Sequence, residues 1–397
     1  MSELPDQSLW RGRAARVTLA MSCLFGATGM IMVFLPRWLE VERGLTGAQI
    51  GAVIALAQLG RVGTGPAVAF WADSAADRRT PLRVLSLCAL GAYAAFFAVE
   101  SYAALLVLGF IALSLTSSTT PFIEGAALRA TASGKVSYGV VRGIGSVAFI
   151  VANVAGGYLI AQFGLNVVVI WALTVLTCFA LTNWLVLPPD PAPHVGQHGG
   201  GERRAGLRDL LSNRRFVILI LACGLIQSSH AFYYSFSTLT WRAQGVTPDQ
   251  VGLLWSVGVA VEVAFLWTLP FFERRVSPEQ MILVGAAGGF VRWVLLGFAP
   301  TGAALIPLQM LHALSFAAAH VGAMRLLYRE APEAAAGMAQ TLYAVLSAGI
   351  FMGLATLGSG VLYDAIGARG YWVMAAMAIA GGALSLLLLP RGTRSQT

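Results

Sequence analysis

The sequence predicts an all-α integral membrane protein: twelve transmembrane helices in two six-helix bundles related by a pseudo-two-fold repeat. Three observations predict it. Apolar residues make up 57% of the 397 residues and charged ones only 11%, a balance that a hydrated globular surface does not show. Apolar stretches of about twenty residues, enough to cross a hydrocarbon core roughly 30 Å thick as helix, recur along the whole chain. Finally, the second half echoes the first. Strand-type alternation is missing, which argues against a membrane barrel.

Taken in order, the apolar segments centre near residues 26, 58, 90, 114, 150, 176, 228, 260, 288, 314, 349 and 380. The residues before the first segment are polar and basic (SLWRGRAAR), and no small-residue cleavage pattern follows it. It therefore reads as a retained helix with the N-terminus in the cytoplasm. Lys and Arg are held on the cytoplasmic side of a membrane. In that orientation eighteen of the 26 basic residues are cytoplasmic, and only Arg37, Arg43, Arg242 and Arg369 face out. Arg61, Arg142, Arg292 and Arg325 remain inside the membrane. An even number of crossings returns the C-terminus to the cytoplasm. The net charge of +8 is then topology, and no nucleic-acid partner is needed to explain it. Cys23, Cys88, Cys178 and Cys223 sit inside apolar helices without CxxC spacing; they are expected to be packing residues, with no metal site or disulfide.

After six segments the chain reads LPPDPAPHVGQHGGGERRAG, residues 187–206, where Pro and Gly forbid regular structure. The expected organisation is a first bundle over residues 1–188, a cytoplasmic linker over 189–214 and a second bundle over 215–397. His194 and His198 are expected to be solvated in that linker. Across it, GLTGAQIG at 44–51 matches GVTPDQVG at 245–252, and GGYLIAQFG at 156–164 matches SGVLYDAIG at 359–367. The offset stays near 201 to 203 residues. Parallel repeats of this kind build transporters in which two bundles rock about a central site. Small residues at four-residue spacing, Gly139 and Gly143 and then Ala148, Ala152 and Gly156, predict close helix packing.

The loop FWADSAADRRTPL resembles the signature of the major facilitator superfamily, Gly-x-x-x-Asp followed by a basic cluster. Asp73, Arg78 and Arg79 fit it, and Ala69 and Ala76 stand where the signature has glycine. FFERRVSP, with Glu273 and Arg274, is a weaker counterpart in the second half. The resemblance implies the major facilitator fold. These five charged residues are expected to form a conformational latch.

An ion at mid-membrane costs about 2.5 to 3.5 kcal/mol on insertion scales, so it is expected to face a partner or a wet cavity. Counting from the turn centred on Gly134 puts Glu124 and Arg142 at nearly equal depth on successive helices. The same count levels His230 with Glu262, and brings Arg292 near His312. In the repeat, Arg61 aligns with Glu262 and Glu124 with Arg325. His320, nearer the end of its helix, is expected to be a packing residue. Four intramembrane arginines against two glutamates leave excess positive charge, which suits an anionic ligand. Phe232, Tyr233, Tyr234, Phe236 and Trp255 could flank a ring, or belong to the core or the lipid face.

Glu124, Tyr138, Gly139, Arg142, Gly145 and Phe149 resemble the fourth-to-fifth helix segment of the lactose permease group, in which a Glu and an Arg at this spacing hold the substrate. QMLHALSF, with His312, looks like that group's tenth helix, with Ser315 where the group has a proton-bearing Glu. LIQSSHAFYYSFSTLTWRAQGVTPDQVGLLWSVGVAVEV (225–263), GGFVRWVLLG and LQMLHALSFAAAHVGAMRLLY resemble the phenylpropionate permease family more closely. That resemblance spans nearly the full chain. It implies proton-driven uptake of a small aromatic carboxylate across a bacterial inner membrane by a monomer in lipid, with a proton gradient and no cofactor. The expected substrate ligands are Glu124, Arg142, His230, Tyr234, Trp255 and Arg292; the expected coupling residues are Glu262, His312 and Arg292. Sugar or nucleoside symport and efflux of drugs or metabolites are the alternatives. No HExxH, GxSxG or P-loop pattern occurs, so an enzyme is not expected.

Overall fold

The structure, a computed structural model, describes residues 12–132, 136–191, 208–332 and 335–389. The expected turn centre Gly134 and the linker histidines His194 and His198 lie outside them. Nearly all of the described chain is helix, and its only β feature is an isolated bridge between Asp77 and Pro191. This follows from the solvent: a chain in hydrocarbon must satisfy its backbone groups internally, and a helix does so within one segment.

The first six crossings are continuous: α1 (Arg13–Arg43), α2 (Gly47–Ser74), α3 (Arg79–Ala98), α4 (Tyr102–Thr131), α5 (Tyr138–Phe163) and α6 (Val167–Leu185). The second six are more broken. The seventh divides into α7 (Arg214–Ser228) and α8 (Ala231–Ala243), followed by α9 (Pro248–Phe272) and α10 (Pro278–Gly297). The tenth runs from α11 (Leu305–Met310) through a π-helical stretch, Ala313–Ala318, into α12 (Ala319–Glu330). The eleventh runs from α13 (Ala336–Tyr343) through a second π stretch, Ala344–Phe351, into α14 (Met352–Ile366). A 3₁₀ turn at Gly367–Arg369 leads on to α15 (Gly370–Ser385). By continuous helicity the last two crossings form one apolar stretch of 53 residues. Gly367, at φ +56°, is where the chain reverses, which restores the expected twelve.

By packing, the chain forms two compact units. One comprises residues 1–45, 63–195 and 247–256, the other 46–62, 196–246 and 257–397. In the first unit, Gly29 of α1 sits so close to α5 that a Cβ would press on the Phe149 carbonyl and Ala152, and Gly156 faces Met30. Gly143, expected in the same seam, has open space around it, and Gly139 meets only its neighbour Ser137 at 3.8 Å; the tight contact starts further along α5. The first turns of α9 also belong to this unit, where Gly252 lies against the backbone of Asn153.

In the second unit the first half of α2 packs on α14. Gly51 and Gly360 lie backbone to backbone, and Asp364 caps α2 by accepting from Gly47 N–H at 2.7 Å and Ala48 N–H at 2.8 Å. Thr46 and Gln49 complete a reciprocal capping box at 3.1 and 3.3 Å, so the helix start is fully satisfied. The aligned start of α9 needs no such help. Pro248 has no N–H to satisfy, and Asp249 supplies a negative charge in the first turn. Ala161 stands where the repeat would place Asp364.

The start of the linker is anchored. Asp190, 7% exposed, accepts from Arg13 at 3.2 Å and Arg129 at 2.5 Å, and its own N–H meets Asp77. Burial works against the Asp77 charge, but hydrogen bonds from the Arg79 side chain and from the Arg79 and Asp190 backbones outweigh it and hold the carboxyl below its usual range. Two further expectations change. Cys88 and Cys178 are exposed on their helices, leaving only Cys223 as a fully buried thiol. His320 is exposed and stacked on Phe316, so it is not enclosed in the core.

Replacing Asp364 by Ala removes a charged cap worth about 1 kcal/mol, or roughly five-fold in local opening. Hydrogen-exchange mass spectrometry should show faster exchange at residues 47–50 with residues 249–252 unchanged. Equal exchange in both segments would contradict the one-sided cap.

Candidate functional site

Two polar clusters lie at membrane depth, one in each unit. In the first, Arg142 of α5 reaches Glu124 of α4 at 3.4 Å and donates to Ser146 at 2.9 Å, with its guanidinium 4.4 Å over the Phe25 ring of α1. The depth count from the sequence anticipates this pair. Both side chains are about one third exposed, 36% and 35%, so the pair keeps unused donor and acceptor positions toward solvent.

The second cluster is a chain of hydrogen bonds whose directions can be assigned. Arg292 of α10 is 0% exposed. It donates to His312 Nδ1 at 2.9 Å, to Gln309 Oε1 at 2.9 Å and to Ser315 Oγ at 3.4 Å, between the faces of Tyr233 and Trp293. A guanidinium has no acceptor, so His312 Nδ1 must present its lone pair. The Nε2 of His312 then carries the proton and points at Glu262 of α9, 3.5 Å away. At the other end, His230 Nδ1 faces the Gln227 carbonyl at 3.1 Å and must donate. In the neutral ring, the form favoured beside the buried Arg292 cation, Nε2 is then an acceptor and takes the Ser315 hydroxyl proton at 3.1 Å. The chain runs Glu262, His312, Arg292, Ser315, His230, with both histidines neutral and in opposite tautomers.

Irregular backbone creates this arrangement. His230 lies in the break between α7 and α8, where the freed Ser229 hydroxyl accepts from Trp293 Nε1 at 3.0 Å. His312 immediately precedes the first π stretch, which contains Ser315. Ser228 bonds the Ser347 carbonyl of the second π stretch at 3.4 Å. Non-helical backbone at membrane depth is tolerated where it is enclosed in protein or lines a cavity.

The expected site residues divide accordingly. Glu262, His312, Arg292 and His230 come together in one chain. Tyr234, half-buried, stacks on His230 at 5.6 Å. His230 and Arg292 have no exposed surface, and Trp255, 3% exposed, belongs with the first turns of α9 in the other unit. Phe232, Tyr233 and Phe236 are core residues, packed against Tyr371, Trp293 and Tyr363. Gln309 and Ser146 are additional members. Gln309, three residues before His312, could have been found from that spacing; nothing in the sequence marks Ser146.

Among the loop charges, Arg78 reaches Asp73 at 3.4 Å, whereas Arg79 pairs with Asp77 at 2.7 Å. Glu273 offers its backbone carbonyl to Arg325 at 2.9 Å, and neither Glu273 nor Arg274 forms an ion pair among the described residues. No group of metal-ligating side chains occurs among the described residues.

Nitrogen NMR of histidine-labelled protein should report one Nε2–H ring and one Nδ1–H ring, assigned by loss of each signal in His312→Gln and His230→Gln. Ser315→Ala should perturb the His230 resonances first. Identical tautomers at the two sites would contradict the assigned directions.

Comparison with known proteins agrees with this architecture. The profile of the MFS_1 like family matches residues 19–374. A protein of Escherichia coli (strain K12) named as a probable 3-phenylpropionic acid transporter is 31% identical over 360 residues, covering 89% of this chain and 92% of its own. The maltose permease of Geobacillus stearothermophilus is 27% identical over 393 residues, covering 97% of each. Among solved structures, the nucleoside transporter NupG superposes with a TM-score of 0.81 at 17% identity, over 96% of this chain and 100% of the other; that likeness concerns the fold. With its apolar helices, its six-plus-six repeat and this match over most of its length, the chain belongs to the MFS_1-like family and is a multi-pass secondary transporter.

Proposed function

We propose that this transporter is a proton-coupled symporter of a small aromatic carboxylate of the phenylpropionate kind, driven by the proton gradient without a bound cofactor. The observation that carries the reading is the Glu262–His312–Arg292 chain, in which a fully buried cation is balanced by a partly exposed carboxylate through a neutral imidazole. With Glu262 ionised, the chain is electrically compensated. Protonation at Glu262, whose side chain is 23% exposed, leaves the Arg292 charge uncovered. A bound proton then favours the arrival of an anion, and by linkage the anion favours the proton by the same factor. His312 cannot take this proton while its Nδ1 holds Arg292, so Glu262 is the titrating group. The excess of intramembrane arginine supports an anionic cargo, and the relative named for 3-phenylpropionic acid supports its aromatic class.

A second reading, symport of a sugar or nucleoside, draws support from the Glu124–Arg142 pair. Its side-by-side acceptor and donors suit vicinal hydroxyls.

In proteoliposomes, labelled 3-phenylpropionate should accumulate under an inward proton gradient, and a protonophore should abolish accumulation. Uptake indifferent to the protonophore would reject coupling. Competition by neutral sugars with none by aromatic acids would favour the second reading. Glu262→Gln should spare substrate exchange and abolish accumulation; normal accumulation would remove Glu262 from the coupling role. Arg142→Ala should weaken binding by about 10- to 100-fold, the range for loss of a charge-assisted contact, as read by calorimetric titration.

A further inference from the structure

The intramembrane arginines are unequally occupied. Arg142 is paired with Glu124, Arg292 is enclosed, and Arg325 is bonded to the carbonyls of Glu273 and Val276 at 2.9 and 3.4 Å. Arg61 differs: it is exposed, and among the described residues it makes no hydrogen bond or ion pair. Its position is central. It stands fourteen residues after Gly47 on α2, as Glu262 stands fourteen after Pro248 on α9. The repeat thus sets a cation opposite in sign to the titrating carboxylate at the same helical register.

The surroundings of Arg61 point to solvent. No residue from 61 to 71 is buried, although the start of α2 is packed against α14. Packing here is confined to part of the helix: Val62 lies beside Gly349 and Thr64 is half-buried, while Arg61 itself is exposed. At mid-membrane an unpaired guanidinium facing lipid costs several kcal/mol, whereas one facing a wet space can receive an anion. Gly65, one turn further along the same face, has nothing within 4 Å of where a Cβ would project, so a small side chain introduced there meets no neighbour.

We propose that Arg61 is the carboxylate-binding residue that makes this transporter selective for anions, gripping the substrate carboxylate through its planar fork of donors. The inference rests on the symporter reading above and deepens it. Arg61 recognises the charge of the cargo and leaves proton binding to Glu262.

The test compares 3-phenylpropionate with its neutral isostere 3-phenylpropionamide, by calorimetric titration of the purified full-length protein. Arg61→Gln should weaken the acid by about 10-fold or more and leave the amide within about two-fold, with Arg61→Lys intermediate. An acid-to-amide ratio unchanged in Arg61→Gln would overturn the assignment. A second measurement needs no substrate. In Gly65→Cys, thiol labelling above the wild-type background should be faster with an anionic than with a cationic membrane-impermeant methanethiosulfonate, and adding Arg61→Gln should remove that preference. Absence of labelling, or a preference that survives Arg61→Gln, would also overturn it. If the wild-type protein binds neither compound, the aromatic-acid reading fails, and the thiol measurement decides Arg61 by itself.

Discussion

A guanidinium with no exposed surface and no ion pair among the described residues is the constraint to which the second six crossings conform. Removing Arg292 from solvent costs several kcal/mol even after relaxation, and its neighbours are arranged to offset that. Gln309, His312 and Ser315 recur at three-residue spacing along one crossing and present three acceptors to it, while Tyr233 and Trp293 place ring faces against it. Close approach is possible because α10 is poor in side-chain bulk on this face. Gly288 lies against Leu314, and Gly285 against the backbone of Ala319. The remaining charge is returned by Glu262 through an imidazole, which makes compensation sensitive to a single proton.

This requirement also accounts for the contrast between the halves. α4 and α5 run unbroken, whereas their counterparts in the repeat contain π stretches, and the seventh crossing parts at Ser229 and His230. The regular half carries a simple ion pair that needs only two helices at equal depth. The irregular half brings a histidine from one crossing, an arginine from another and a serine from a third into one line, with released backbone and hydroxyl groups satisfying each other locally. The MFS_1-like repeat therefore keeps its topology while its two copies diverge in backbone regularity.

Depth along a helix was legible in the sequence because it is a matter of counting. Glu124 with Arg142, and Arg292 with His312, meet where residue number from the nearest turn puts them. Direction around a helix was not. When lipid, core and cavity faces are all apolar, no periodicity separates them, so Phe232, Tyr233 and Phe236 could not be told from cavity aromatics although they are core, and Cys88 and Cys178 could not be seen to be exposed. Tertiary partners of loop residues were hidden as well. The Pro-rich connector gives no sign that Asp190 will be held by Arg13 and Arg129, which precede it by more than sixty residues.

The two aligned helix starts have solved one electrostatic problem in different ways. α9 carries its own proline and aspartate, whereas α2 borrows its anion from α14. A helix that borrows its cap is tied to the lender, because sliding α14 away would strand two amides of α2 without acceptors. α9 meets α5 through van der Waals contact and one long hydrogen bond, from the Ser256 hydroxyl to the Ile150 carbonyl at 3.4 Å. The Asp364 carboxylate therefore fastens α2 to α14 more firmly than a single 3.4 Å bond fastens α9 to α5.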